Sequence, residues 1–425
     1  MNRRELSCGA RRDFVSSQRR GTHHLPHFCI TLQLLFVLSL GAATFESTYR
    51  AGLEALGKND LPAAQAQFEA AAKLQPGNAQ VWLALAQTYF KLGKPKLAAD
   101  AAVRAETLAP ADPVVLHGLA FYYTEARDPA RAAALEGRYA DKSPQDAEAY
   151  SRAIDLYLRG SRPKPAILLA QKALLQHDTP ELHELLAKAL DADGQFEKAI
   201  VQFRQAAKMR PYDESYAFEL GQAYLRRQKF AEALEVFQGA RKLFDKSAQI
   251  QLALGVALYG LRRFPETIDA FLLTIQLDPE VEQPYLFLGR MIDQAEAKMP
   301  DVSAALATYV SVKPDSYISN FLYAKALIAQ NAEPDQVEPL LRKSVALNGK
   351  YWESHFELGT VLEKKRDYPA AALELQKSIE LNPKDPTAHY HLARVYDRLG
   401  KPELAAQQRA LHAALSKSPT AASMK

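Results

Sequence analysis

Apolar residues recur along this chain at i, i+3, i+4 and i+7. Trp82, Leu85, Ala86 and Tyr89 form one such set, Leu116, Leu119, Ala120 and Tyr123 the next, and Ala217, Leu220, Gly221 and Tyr224 a later one. This spacing lines one face of a helix, so each set predicts an amphipathic helix. The sets themselves return on a longer beat, and prolines keep it: Pro76, Pro110, Pro144, Pro211, Pro279, Pro314 and Pro383 are separated by 34, 34, 67, 68, 35 and 69 residues. A fixed period of this size means one helical hairpin copied many times, because no single copy can bury its apolar face alone. Counting 32 residues to each proline places repeat starts near 45, 79, 113, 147, 180, 214, 248, 282, 317, 352 and 386.

A second row of prolines, Pro62, Pro95, Pro129, Pro265, Pro369 and Pro402, often follows a pair such as Gly93-Lys94 or Gly400-Lys401. Glycine is expected to end the first helix and proline to open the second, whose first position needs no backbone donor. Each repeat then reads helix A, tight turn, helix B, tight turn, and the fold class is an all-α solenoid. The eighth place in the repeat is small, with glycine at Gly52, Gly221, Gly255, Gly289 and Gly359. Glycine inside a helix costs about 1 kcal/mol relative to alanine. These five therefore predict a second helix packed too close for a larger side chain.

Positions 20 and 24 repeat as Ala64-x3-Phe68, Ala199-x3-Phe203 and Ala233-x3-Phe237. With these the chain resembles the tetratricopeptide repeat family, whose pattern W-x2-L-G-x2-Y…A-x3-F…P it follows from residue 45 to about 416. The resemblance implies a right-handed superhelical solenoid of about eleven repeats. It also implies that the A helices line a concave surface, with positions 2, 5, 9 and 12 pointing into it. Those places hold Tyr49, Gln87, Phe121, Asp155, Lys188, Phe218, Gln222, Tyr259, Arg290, Lys325, Phe356, Tyr390 and Arg394, together with Asp191 and Asp293. Aromatics there supply flat contact area and scattered charges set register, so the implied partner is a protein or extended peptide. Some of the same residues could instead pack between neighbouring repeats. Members that hold the acidic C-terminus of chaperones use paired lysine and asparagine at positions 5 and 9, and no such set stands here.

The N-terminus differs in composition. Residues 1–27 carry six arginines against Glu5 and Asp13, and Phe28 to Ala43 is an uncharged, mostly apolar run of 16 residues ending in Gly41-Ala42-Ala43. A basic region, an apolar region and a small-residue exit are the parts of a secretory signal peptide. The run falls short of the roughly 20 residues that span a bilayer, which favours cleavage near Ala43 over a retained signal anchor. Residues 1–43 are thus expected to be a signal peptide or anchor, 44–416 the solenoid and 417–425 a disordered tail. The product would be periplasmic or secreted, or else held at the inner membrane with its repeats outside the cytoplasm. Both cysteines, Cys8 and Cys29, lie in the leader, so the mature chain would have no thiol to scramble under oxidising conditions.

Charge narrows the function. The full chain has 53 basic and 49 acidic residues, and without the leader 47 of each remain. A neutral solenoid lacks the basic face that nucleic-acid binding needs. The repeats leave no second domain for a catalytic site, and no phosphate-cradling loop, HExxH or cysteine nucleophile is present. His117, His177, His183, His355 and His412 fall singly in different repeats, while His389 and His391 point to opposite sides of one helix. They read as solvated or groove-lining residues, with no cofactor or metal expected. What remains is a non-enzymatic, exported protein-binding scaffold acting in cell-envelope assembly. A solenoid serving polysaccharide export, and self-association through the end repeats, stay open beside it. Two places break the repeat and are expected to open more readily: repeat 4, with Ile154 and Asp178 in the small-residue and proline places, and repeats 8 and 9. The latter gain a residue near Met299-Pro300-Asp301 and lose the alanine–phenylalanine pair.

Overall fold

The computed structural model describes residues 44–417, so the expected leader, and the tail beyond residue 417, lie outside the described residues. The described chain is all-helical and divides into two compact units after Gly160, inside the fourth hairpin. The first unit holds α1 (residues 44–57), α2 (Leu61–Leu74), α3 (Ala79–Lys91), α4 (Pro95–Leu108), α5 (Pro113–Glu125), α6 (Pro129–Lys142) and α7 (Ala147–Arg159). The second begins with α8 (Pro163–Leu174), α9 (Pro180–Ala192), α10 (Phe196–Met209), α11 (Glu214–Arg226), α12 (Phe230–Arg241), α13 (Ala248–Gly260) and α14 (Phe264–Leu277). It continues through α15 (Gln283–Arg290), α16 (Met299–Val312), α17 (Tyr317–Ala329), α18 (Pro334–Leu347), α19 (Trp352–Lys364), α20 (Tyr368–Leu381), α21 (Pro386–Arg398) and α22 (Pro402–Ser416). Odd-numbered helices are the A helices and even-numbered ones the B helices. Within each unit every helix packs on the next, and A helices of adjacent repeats also touch, as α3 does α5 and α19 does α21.

Helix starts follow from the expected local chemistry. Asn78, Asp112, Asp213 and Asp385 cap A helices by accepting backbone N–H bonds, and proline stands in the first turn of most B helices. The A–B turn departs from expectation. Glycine occupies its left-handed position only at Gly93, Gly194 and Gly400, whereas Asn59, Arg127, Ser161, Gln228, Arg262, Asn331 and Arg366 adopt positive φ in the same place. Two hydrogen bonds enforce the geometry regardless of residue type: Arg127 N–H donates to the Thr124 carbonyl and Asp128 N–H to the Tyr123 carbonyl, as Gly93 and Lys94 do to Phe90 and Tyr89. A non-glycine residue there carries a conformational cost of about 1–2 kcal/mol, which the closed turn sustains.

The expected contact at position 8 is present. A Cβ added to Gly52 would sit 2.5 Å from the Phe68 ring, one on Gly255 would sit 2.6 Å from Phe271, and one on Gly359 2.7 Å from Leu375. Phe68, Phe203, Phe237 and Phe271 are fully buried, each beneath its own A helix, and Ala64, Ala199 and Ala233 beside them admit the crossing. Repeat 4 accepts Ile154 in the small-residue place, fully buried at the end of the first unit.

In repeat 8 the extra residue is absorbed earlier than the sequence suggests. α15 stops at Arg290, and two 3-10 turns, Ile292–Gln294 and Glu296–Lys298, lead into α16. Met291, Ile292 and Ala295 stay buried, so the unwound segment keeps its apolar anchors. In repeat 9 the alanine–phenylalanine pair is replaced rather than lost. Val337 and Leu341, with the same four-residue spacing, are both buried, and α18 runs through Pro339.

Candidate functional site

The face formed by A helices carries the residues expected to meet a partner. In the first unit Tyr49 is half-buried, stacked on Phe45 at 5.9 Å and tilted against Phe68, so its ring serves packing. Gln87 is half-buried on α3. Phe121 and Asp155 instead border a cleft of about 240 Å³ between α5 and α7. Phe121 is 55% exposed. Below it Glu136 is buried, contacting His117 Nδ1 at 2.9 Å and accepting from Arg152 Nε at 2.7 Å. Asp155 is paired with Arg159 at 2.7 Å. The charges of this cleft are matched from within, which leaves the Phe121 ring as its open surface.

In the second unit Lys188 meets Glu184 at 2.6 Å and Glu219 of the next A helix at 3.4 Å. Burial opposes its charge, but the two carboxylates outweigh burial and hold its pKa above the ordinary lysine value. Phe218 tilts against Phe237 at 6.3 Å, Gln222 is half-buried, and Tyr259 lies 5.2 Å from Phe287 of the following repeat. Asp191 ties two repeats together through Arg226 and Arg227, each at 3.0 Å. Arg290 and Asp293 are exposed where α15 unwinds. Lys325 is half-buried, 5.8 Å above the Phe321 ring. Phe356 meets His391 edge-on at 5.6 Å. Tyr390 is 45% exposed, with Arg394 over its ring at 5.7 Å and bonded to Glu363 at 3.2 Å. Tyr49, Phe218, Tyr259, Phe356 and Asp191 thus pack within or between repeats, while Phe121, Tyr390, Arg290 and Arg394 present surface.

Sequence reasoning passed over Glu353 and Glu357 of α19. They are one helical turn apart and so share a face. The Glu353 Oε2 atom is buried without a hydrogen-bond partner. Burial raises the pKa of both carboxyls above the ordinary 4.5, only partly opposed at Glu353 by a backbone hydrogen bond and Lys325, and at Glu357 by Lys325, His391, Lys364 and a Thr360 hydrogen bond. Glu353 occupies position 2, so its repeat number could have flagged it. Glu357 occupies position 6, outside the groove set.

The histidines correct an expectation. His355 and His389 are buried, not solvated or groove-lining, and His183 is nearly so. All three stand at position 4, where Nδ1 meets position 23 of the same hairpin: Gln202, Glu374 and Gln408, each at 2.6 Å. Position 4 has a second task. Trp82, Tyr285 and Asn320 donate to the carbonyls of Pro76, Pro279 and Pro314, six residues earlier, at 2.9, 3.0 and 3.0 Å. The inter-repeat proline exposes a carbonyl outside any helix, and a polar-tipped side chain at position 4 fastens it.

Among the described residues, no group of three or more His, Cys, Asp or Glu is placed to hold a metal ion. No described helix is long and apolar enough to cross a membrane.

Comparison with known proteins agrees with this architecture. The family model described as "Tetratricopeptide repeat" matches residues 49–113, 184–248, 218–282 and 356–422, more than half of the chain. The human "Protein O-mannosyl-transferase TMTC3" is 23% identical over 225 residues, 52% of this chain and 22% of that protein. The human "Tetratricopeptide repeat protein 21A" is 29% identical over 97 residues, 23% of this chain and 7% of that protein. The chain therefore spans under a quarter of the length of either relative. Among solved structures, Naa15/Naa10 bound to HypK-THB is similar with a TM-score of 0.41 and 13% identity, over 86% of this chain and 68% of that one.

Proposed function

This chain belongs to the tetratricopeptide repeat family, and from that premise we propose that it is an exported, non-enzymatic scaffold. It holds a peptide or partner protein along its A-helix face during cell-envelope assembly. Proteins of this family bind peptides or proteins. The observation that carries the reading here is surface on that face which packing does not consume, above all Phe121, 55% exposed at its cleft, and Tyr390, 45% exposed. Exposed aromatic anchors beside apolar clefts are where binding energy concentrates. The transferase activity in the name of the human O-mannosyl-transferase belongs to a protein of which this chain spans 22%.

Export is supported by the basic, apolar and small-residue succession of residues 1–43 and by the absence of cysteine after Cys29. Fractionation of cells making the tagged full chain tests both parts. The expected result is a product outside the cytoplasm whose N-terminus lies near Thr44, with protein identified by mass spectrometry in the co-purified material. A cytoplasmic chain with an intact leader would overturn export, and recovery of sugar without protein would overturn the scaffold reading.

A further inference from the structure

We propose that the cleft between α5 and α7 takes an aromatic side chain, phenylalanine, tyrosine or tryptophan, from an extended peptide laid across the A-helix face. The inference rests on the scaffold reading above and names the partner's chemistry at one place. Room comes first. The cleft measures about 240 Å³, and an apolar cavity of about 150 Å³ already takes up benzene. Its apolar wall is Phe121 and Ala120 of α5 with Leu156 of α7, and Leu156 is seated on the core of the first unit. The Phe121 ring is exposed, so an incoming side chain finds it open.

The polar wall decides between an aromatic and a charged occupant. Arg152 and Arg159 border the same cleft, and their charges are already paired. Arg152 donates to Glu136 at 2.7 Å and meets Asp146 at 3.5 Å, while Arg159 meets Asp155 at 2.7 Å. Glu136 is further spent on His117 Nδ1, at 2.9 Å. A carboxylate from the partner would have to displace one of these acids. A lysine or arginine would meet two guanidinium groups whose counter-charges are committed. A guanidinium bonded along its edge keeps its flat faces, and both arginine side chains are exposed. An aromatic ring takes a cation–π contact from such a face without breaking an ion pair, and packs on Phe121 as well. An aliphatic side chain gains burial alone.

Panning a random-peptide phage library against the full chain tests this. The selected peptides should share an aromatic residue at one fixed place. A synthetic copy of the best peptide should bind about tenfold more weakly to Phe121→Ala, while Phe121→Tyr should bind it as wild type does. Thr124→Trp should also weaken binding, because Thr124 is exposed at the cleft and a large ring there fills the room without entering the core. Helix content and thermal midpoint should be preserved in all three variants. Leucine in place of the peptide's aromatic should cost about fivefold, since burial is kept and the ring contacts are lost. A shared place that is charged or aliphatic, or affinity unchanged in Phe121→Ala or in Thr124→Trp, would overturn the inference while leaving the scaffold reading intact. A library yielding no selected peptide on wild type would overturn both.

Discussion

The A-helix faces of the two units are made from the same repeat yet balance charge differently. Between α5 and α7 the buried Glu136 is matched by His117 and Arg152, and Asp155 by Arg159. On α19 Glu353 and Glu357 form no ion pair among the described residues, and Lys325 near both, with His391 and Lys364 near Glu357, only partly offsets their burial. The first face offers an exposed ring on an internally neutral bed; the second buries carboxylates that have no ion-pair partner. The hairpin scaffold fixes where side chains stand and leaves their balance free, so specificity can change along a solenoid without altering its core.

The largest effects should come from what the two units share. Gly52→Leu in the first unit and Gly255→Leu in the second should each cost about 3 kcal/mol, since an added side chain meets the Phe68 or Phe271 ring across a close helix crossing. Urea unfolding measures this, and clearly unequal costs would mean that the units do not share one packing rule. Next comes the contrast itself. Glu136→Ala strips the acceptor from Arg152 and His117 and should destabilise by about 2 kcal/mol. Glu357→Gln should be neutral or stabilising at pH 7, because it removes a desolvated charge with no ion-pair partner. Equal losses for both would erase the distinction between matched and unmatched faces. Smaller again, Phe121→Ala should cost well under about 1 kcal/mol because its ring is already half in water, while Phe356→Ala should cost more, about 2 kcal/mol, through lost contacts with His391 and the core beneath.

The hairpin register, the buried phenylalanines and most of the glycine contacts were legible in the sequence because each depends on residues within one repeat; Gly289, which meets Leu322 of the next repeat, is the exception. The features that escaped depend on something else. Positive φ at Arg127, Arg262 and Arg366 is imposed by backbone hydrogen bonds that close the turn, and the side chain leaves no mark of it. The polar residue at position 4 looked like noise in an apolar place until its bonds explained it: Trp82, Tyr285 and Asn320 reach the proline carbonyl six residues earlier, His355 reaches the Gly349 carbonyl in the same place, and His183, His355 and His389 bond position 23 of their own hairpins. At the candidate face, Tyr259 and Phe356 find their ring partners in the next repeat, and no rule local to one hairpin says whether such a ring turns toward its neighbour or toward the groove. Glu353 and Glu357 were missed for a related reason, since a missing partner is a property of three helices at once.

The smallest and most discriminating prediction concerns pH in the second unit. Glu353 and Glu357 have folded pKa values above the ordinary 4.5, because burial penalises their charge. The folded state then holds protons that the unfolded chain has released, so stability falls as pH rises through the window that opens at 4.5. His355 adds to the same slope further up. The Glu374 hydrogen bond raises its pKa above the ordinary 6.5, outweighing burial, so its contribution is fully present below 6.5 and fades as pH climbs through the raised value. Glu338, held below 4.5 first by Lys365 and then by Arg342, acts in the opposite sense, but its contribution is lost only on acidification below 4.5. Hydrogen exchange of peptides from α19, corrected for intrinsic rates, should therefore show slower opening at pH 5 than at pH 7.5. Glu357→Gln should flatten the lower part of that slope and His355→Gln the upper part. A slope untouched by Glu357→Gln would mean that the second face is as well matched as the first, and the contrast between them would fail at its source.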